Sequence, residues 1–222
     1  MHLKIHNEGW VYLISSIILT IITFPFFPII GILLFLLSFG FFYFFRDPIR
    51  SVPTDEVIIS PADGQIVSIS ESLPPKECNV TGEYNKISIF LSIFNVHVNR
   101  IPISGYVTKI NYIPGKFFNA NLDKTSNENE RNIIVVENDN KDKIIFSQIA
   151  GLIARRIVCD LKVNQEVVKG NRFGIIKFGS RVDLYLPKKF NLLVSVGQIV
   201  IGGETIISNP NNILKIDKTK KI

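Results

Sequence analysis

The sequence predicts a mainly β, barrel- or sandwich-like core preceded by an N-terminal apolar α-helical hairpin. Three observations carry that expectation. No charged side chain occurs from Trp10 to Phe45. From about residue 56 onward, short runs of β-branched and aromatic residues alternate with Gly, Pro, Asn and Asp, the pattern of strands and turns. Two later segments, 33 residues apart, repeat a strand, a glycine turn and a strand.

The apolar stretch divides as WVYLISSIILTIITF (10–24), PFFP (25–28) and IIGILLFLLSFGFFYFF (29–45). A membrane span takes about 20 apolar residues. The two pieces are 15 and 17 residues long, with Pro25 and Pro28 where a turn belongs. The expectation is therefore a hairpin that enters and leaves on one side of a membrane, over a single kinked span or a buried core hairpin. The run is too long for a signal peptide and no small-residue cleavage site comes after it. Arg46 and Arg50 at its exit favour the cytoplasmic side for the rest of the chain.

RDPIRSVP (46–53) reads as a proline-punctuated linker. VIISPADGQIVSIS (57–70) reads as strand, turn, strand, with Asp63-Gly64 in the turn. SLPPKECNVTGEYN (72–85) is a loop, residues 86–113 are strand-rich, and 114–132 is a long polar loop. Residues 132–151 read as a hairpin turning at Asp139-Asn140, and GLIARRIVCDL (151–161) as helical at its start. In RFGIIKFGSRVDLYLP (172–187), Val182, Leu184 and Leu186 share one face, Asp183 and Tyr185 the other. The repeated pair is VNQEVVKGNRFGII (163–176) and VGQIVIGGETII (196–207), with Gln165 aligned on Gln198 and Gly170 on Gly203. These hairpins resemble those of biotinyl/lipoyl-type sandwiches.

The net charge of +6 points to an acidic partner. No basic run interleaved with aromatics marks single-strand binding, so an anionic membrane fits better than nucleic acid. The lysine-rich end, KIDKTKKI, reads as a solvated tail. Cys78 and Cys159 fit no metal spacing and make no disulfide framework. No metal is expected, and a reduced, cytoplasmic-side domain is the simpler reading.

Three residues from distant parts of the chain carry possible chemistry. Ser180 is a hydroxyl nucleophile that needs a base; His97, the one histidine after residue 6, could be that base; Asp63 could orient it. Arg155, Arg156 and Lys177 are candidate phosphate ligands. Taken singly each has a plainer reading: Asp63 a turn residue, His97 a satisfied strand histidine, Gly179-Ser180 a bulge.

Taken together, the motifs resemble the short, membrane-associated form of phosphatidylserine decarboxylase. The matching segments are RDPIRSVP, SPADG (60–64), FNVHVNRIP (94–102), YIPGKF (112–117), NER (129–131), QIAGLIARRIV (148–158) and RFGIIKFGSRVDLYLP, in the family's order. The resemblance implies self-cleavage at Gly179-Ser180 into a large chain, 1–179, and a small chain, 180–222. Ser180 would become a pyruvoyl group, the covalent cofactor, which forms a Schiff base with the substrate amine. The activity implied is decarboxylation of phosphatidylserine to phosphatidylethanolamine at the cytoplasmic face of the cell membrane, in phospholipid biosynthesis. The two chains would stay together and could pair as a dimer of heterodimers. Longer relatives carry two histidines three apart; here Arg100 stands at the second position. The expected domains are a membrane hairpin, 1–45, and a decarboxylase domain, 46–222. The alternatives are a decarboxylase of another serine-headgroup lipid, a non-enzymatic membrane-anchored β-barrel module, and a serine hydrolase. The last lacks a G-x-S-x-G elbow.

Overall fold

A computed structural model describes residues 4–118, 128–151, 156–177, 180–210 and 219–221. The chain forms two compact units, Met1–Ile49 and Arg50–Ile222.

In the first unit, helix α1 (Trp10–Thr23) packs antiparallel on α2 (Pro28–Phe44). Pro28 opens α2, where its missing N–H would have had no partner within the helix. Tyr12 lies against Phe41 and Phe45 at centroid separations of 5.6 and 5.2 Å. The Ser38 hydroxyl donates to that of Ser16 at 2.9 Å. Strands β1 (Lys4–Ile5) and β2 (Arg46–Asp47) close the open end. The outward side chains stay exposed and apolar: Val11, Phe26 and Ile29 are 73–76% accessible. Among the described residues, no helix is long and apolar enough to cross a membrane.

The second unit is mainly β. Its strands are β3 (Ser51–Pro53), β4 (Ile58–Ile59), β5 (Gly64–Ser72), β6 (Tyr84–Leu91) and β7 (Val98–Arg100). Then come β8 (Gly105–Ile113), β9 (Arg131–Glu137), β10 (Lys143–Ala150), β11 (Ile157–Cys159) and β12 (Glu166–Val167). The last are β13 (Arg172–Ile176), β14 (Ser180–Pro187), β15 (Ile199–Val200), β16 (Ile206–Ser208) and β17 (Thr219–Lys221). Eight of them form an antiparallel sheet, β12-β8-β9-β10-β14-β6-β5-β15, curled into a half-barrel. A three-stranded sheet, β11-β13-β7, and the pairs β16-β4 and β17-β3 complete the unit.

Strand β14 lies at the centre of the large sheet and is buried on both faces. Val182, Leu184 and Leu186 enter the main core with Ile87, Ile89 and Phe146. On the other face, Cys78 and Val80 from the 72–83 segment pack over Ile133, Ile145 and Tyr185. Asp183, which the sequence puts on the face opposite Val182, is buried there and paired with Arg181 at 2.8 Å.

The internal repeat is a structural one. The Gln165 side chain accepts the Lys162 N–H at 2.9 Å, and the Gln198 side chain accepts the Ser195 N–H at 3.2 Å. Gly170 and Gly203 turn with φ of 84° and 86°, in the left-handed region. Their N–H groups donate to Ile101 and Ser60 carbonyls at 2.8 and 2.9 Å. The receiving segments also correspond, SPADG to IPISG, and exchange hydrogen bonds: Ile59 N–H to Pro102 and Arg100 N–H to Pro61. The strand order of the large sheet is therefore a pseudo-two-fold palindrome about the β10/β14 pair.

Two expectations differ from the structure, and a third falls on residues that are not described. Asp63-Gly64 does not turn a hairpin: β4 pairs with β16 while β5 pairs with β6 and β15, so the chain rounds a corner between sheets. The lysine-rich end is not wholly a free tail, because β17 pairs with β3. The segment 151–161 ends in strand β11, while 152–155, where a helix is expected, lie outside the described residues.

Candidate active site

Ser180 is the first residue of β14, paired with Leu91 on one side and Ala150 on the other. It shares the core-facing side of the strand with Val182. The residue is wholly buried and its Oγ has no hydrogen-bond partner among the described residues. Leaving a buried hydroxyl unpaired costs about 1–3 kcal/mol, so such a group marks a place where something other than stability is served. Gly179 and Arg155 lie outside the described residues.

His97 stands just before β7 and is wholly buried. Strand β7 pairs with β13, Val98 opposite Ile175, and the Ile176 N–H points at the His97 carbonyl at 3.4 Å. The chain leaving β13 runs through Lys177 toward Ser180, so His97 sits beside the approach to the predicted nucleophile. His97 Nδ1 is 3.0 Å from the Asn95 carbonyl. A carbonyl can only accept, so Nδ1 carries a proton, and a neutral ring so held has its lone pair on Nε2.

Asn99, one strand period beyond His97, ends a chain of buried amides. Its Oδ1 accepts Gln148 Nε2 at 3.0 Å, and Gln148 Oε1 accepts Asn132 Nδ2 at 3.2 Å. Gln148 faces Val182 across the sheet, the diagonal neighbour of Ser180 on the same face. The chain finishes on Asn99 Nδ2, a buried donor with no partner among the described residues.

Asp63 occupies the corner between β4 and β5. The Pro61 carbonyl accepts the Arg100 N–H at 2.8 Å, which sets this corner against β7. Its carboxylate is held by Arg50 Nη2, at 2.9 and 2.7 Å from the two oxygens, and by the Gly202 N–H at 2.8 Å. Both side chains are mostly buried, at 11% and 14% accessibility. Arg100 donates to the Gly170 carbonyl at 2.8 Å and passes over Gly203, where a Cβ would lie 2.8 Å from its Cδ. The structure thus sets Ser180 and the His97 region on neighbouring strand ends, and the Asp63 corner beside β7. In the sequence Arg50 stands out only as a charge after the apolar run and Asn99 not at all, although RDPIRSVP and FNVHVNRIP contain them.

Of the candidate phosphate ligands, Lys177 is buried and Arg156 exposed, and the Lys177 N–H donates to the Arg156 carbonyl at 3.2 Å. A cavity of about 370 Å³ opens on the opposite face of the large sheet from Ser180 Oγ, lined by Lys86, Arg131, Ser147 and Asp183 among others. It lies apart from the groups just described. Among the described residues no three acidic, histidine or cysteine side chains gather to hold a metal ion.

A buried serine at the head of β14, a buried histidine before β7 and an anchored carboxylate at the β4–β5 corner are the side-chain types that acyl chemistry uses. The family model for phosphatidylserine decarboxylase matches residues 37–208. The phosphatidylserine decarboxylase proenzymes of Rickettsia akari (strain Hartford) and Rickettsia felis (strain ATCC VR-1525 / URRWXCal2) are each 53% identical over 207 residues, 92% of this chain and 90% of theirs. That of Rickettsia prowazekii (strain Madrid E) is 52% identical over the same spans. The chain belongs to the phosphatidylserine decarboxylase family.

Proposed function

We propose that the chain is a proenzyme that cuts itself at Gly179-Ser180 and then decarboxylates phosphatidylserine to phosphatidylethanolamine. The observation that carries this is the buried, unpartnered Oγ of Ser180 at the head of the central strand. Among the described residues that hydroxyl is committed to no structural bond, which suits a nucleophile destined to be consumed. It therefore fits the pyruvoyl group that the family's maturation makes from a serine.

In maturation, Nε2 of His97 takes the Ser180 hydroxyl proton as Oγ adds to the Gly179 carbonyl. The C–N bond breaks, the nitrogen takes up the proton, and an ester replaces the amide. Removal of the Ser180 Cα proton expels the Gly179 carboxylate and leaves dehydroalanine, which takes up water and loses ammonia. Asn99 Nδ2 is the donor offered to the charge that develops on oxygen. Asp63, anchored by Arg50, supplies the fixed negative charge on the His97 side of the site.

In turnover, the pyruvoyl group supplies an electron sink for the carbanion left as carbon dioxide departs. His97 then returns a proton to the former α-carbon. Arg156 and Lys177, with Arg155, offer positive charge to the lipid phosphate. The apolar α1/α2 hairpin attaches the protein to the cytoplasmic face of the membrane and keeps the domain near its substrate. Repeated strand–glycine–strand units support reading the core as a lipoyl-like sandwich.

Intact-mass measurement tests the central step. The purified protein should give two chains divided after Gly179, the smaller of 43 residues with a carbonyl-reactive terminus. Ser180→Ala should remain one uncut, inactive chain. An uncut protein with decarboxylase activity overturns the proposal. Deleting residues 1–45 should release the domain from membranes; retention would show that attachment lies elsewhere.

A further inference from the structure

Two connections run side by side at the Ser180 end of the sheet. Strand β6 pairs with β14 and β7 pairs with β13, so the β6–β7 turn is bracketed by the flanks of the predicted cleavage segment. Leu91 faces Ser180, and His97 faces Ile176. Between them, Ser92 to Asn95 form a turn closed on itself. Asn95 Oδ1 accepts the Ser92 N–H and hydroxyl at 2.9 and 2.8 Å, and the Asn95 N–H donates to the Ser92 carbonyl at 3.0 Å. With its polar groups satisfied inside, the turn presents Ile93 and Phe94 outward, 47% and 68% exposed.

A third apolar side chain stands on the other flank of Ser180. Asn129 Nδ2 donates to the carbonyls of Phe118 at 2.9 Å and Ala150 at 2.8 Å, and Ala150 pairs with Ser180. This puts Phe118, 39% exposed, across the strand end from Phe94. Lys116 lies over the Phe118 ring at 5.3 Å and pairs with Glu128, and Arg156 is exposed beside Lys177. Isolated exposed apolar residues need no explanation, but here they lie on the segments that flank both sides of one strand end, and one of the two aromatic tips has a lysine over its ring.

We propose that Ile93, Phe94 and Phe118 form a rim that inserts into the lipid interface around the mouth of the site, with Lys116 and Arg156 meeting anionic headgroups. This rests on the decarboxylase reading of the site. A bilayer is the occupant because the substrate of that reaction lies in one, and because the rim combines apolar tips with basic flanks, as interfacial segments do. The rim is tied to the chemistry, since Asn95 closes the turn with its side chain and orients His97 with its carbonyl.

The test uses the full chain. In a Trp10→Phe background, which removes the one native tryptophan, Phe94→Trp introduces a single indole on the rim. With vesicles of phosphatidylcholine and phosphatidylserine, its emission should shift to the blue and be quenched by brominated lipid. An unshifted, unquenched emission overturns the proposal, as does a shift that tracks protein concentration without lipid, the mark of a protein–protein contact. In parallel, Ile93→Ser/Phe94→Ser should lower turnover of phosphatidylserine in vesicles at least about tenfold, the loss expected from two apolar side chains that no longer leave water. Self-cleavage and turnover of a short-chain, monomeric phosphatidylserine should be unchanged. Equal loss on both substrates, or loss on neither, overturns the rim. Failure of the unmodified protein to act on phosphatidylserine in either form would instead sink the decarboxylase reading.

Discussion

At the residue scale, the informative groups are those whose bonding is unusual for their burial. Asp63 is mostly buried, and Arg50 is a cation that both its oxygens bond. Arg50→Ala takes that cation from the carboxylate and loses a charged hydrogen bond worth about 2 kcal/mol. Self-cleavage should slow at least about tenfold, measured as the ratio of cut to uncut chain over time, and Arg50→Lys should restore part of the rate. An unchanged rate would make the pair a structural contact only. Asn99 has the opposite imbalance, a donor without an acceptor among the described residues. Asn99→Leu removes that orphan but also the acceptor of Gln148 Nε2, so it should lower the unfolding midpoint and slow cleavage beyond what that loss of stability accounts for; loss of stability without loss of cleavage would contradict its role. Cys78 shows what burial alone does: its thiol is pushed up to about 11 from the ordinary 9.0, chiefly by desolvation. Because the folded value is the higher one, the stabilisation is complete below pH 9 and is lost as pH rises toward 11. At pH 8, Cys78 should resist iodoacetamide until the protein is unfolded.

At the scale of elements, the duplicated corner separates structure from function. Gly64 and Gly105 occupy equivalent places, and a Cβ on either would collide with a carbonyl of the neighbouring strand, of Phe90 or of Glu137. Gly64→Ala and Gly105→Ala should each cost about 1–3 kcal/mol in denaturant unfolding, as overpacking does. Their effects on chemistry should differ. Asp63 precedes Gly64 and bonds the Gly202 N–H, whereas Ser104 precedes Gly105 and its hydroxyl accepts the Lys169 N–H at 2.9 Å. Only Gly64→Ala should slow self-cleavage beyond what its stability loss accounts for. Equal slowing by both would mean that the two corners act only through the fold.

For the whole molecule, the consequence of cleavage is set by where β14 lies. The small chain would contribute the central strand, with six registered pairs to β10 and eight to β6, together with β15 and β16. Removing it would open two sheet edges and expose the main core on both sides of the gap. The cut chains should therefore co-migrate in gel filtration and part only in denaturant. Recovery of a folded large chain by itself would contradict this.

Local chemistry is what the sequence by itself determined. Helices α1 and α2 were legible because 36 uncharged residues are broken by PFFP, with prolines where a turn belongs. Strand β14 was legible from its alternation and the duplicated strand–glycine–strand units from glycines that must take positive φ, although their strands pair with other strands and form no hairpins; Ser180, His97 and Asp63 were legible as candidates from motifs. Only the tertiary structure decided which strands are partners, because pairing depends on contacts between residues far apart that no local pattern encodes. It made Asp63-Gly64 a corner between sheets, covered the second face of β14 with the 72–83 segment, and joined Arg50 to Asp63. It also brought Asn132, Gln148 and Asn99 into one buried chain. Each of those side chains is ordinary in sequence, and gains its meaning from being withdrawn from water beside a particular neighbour.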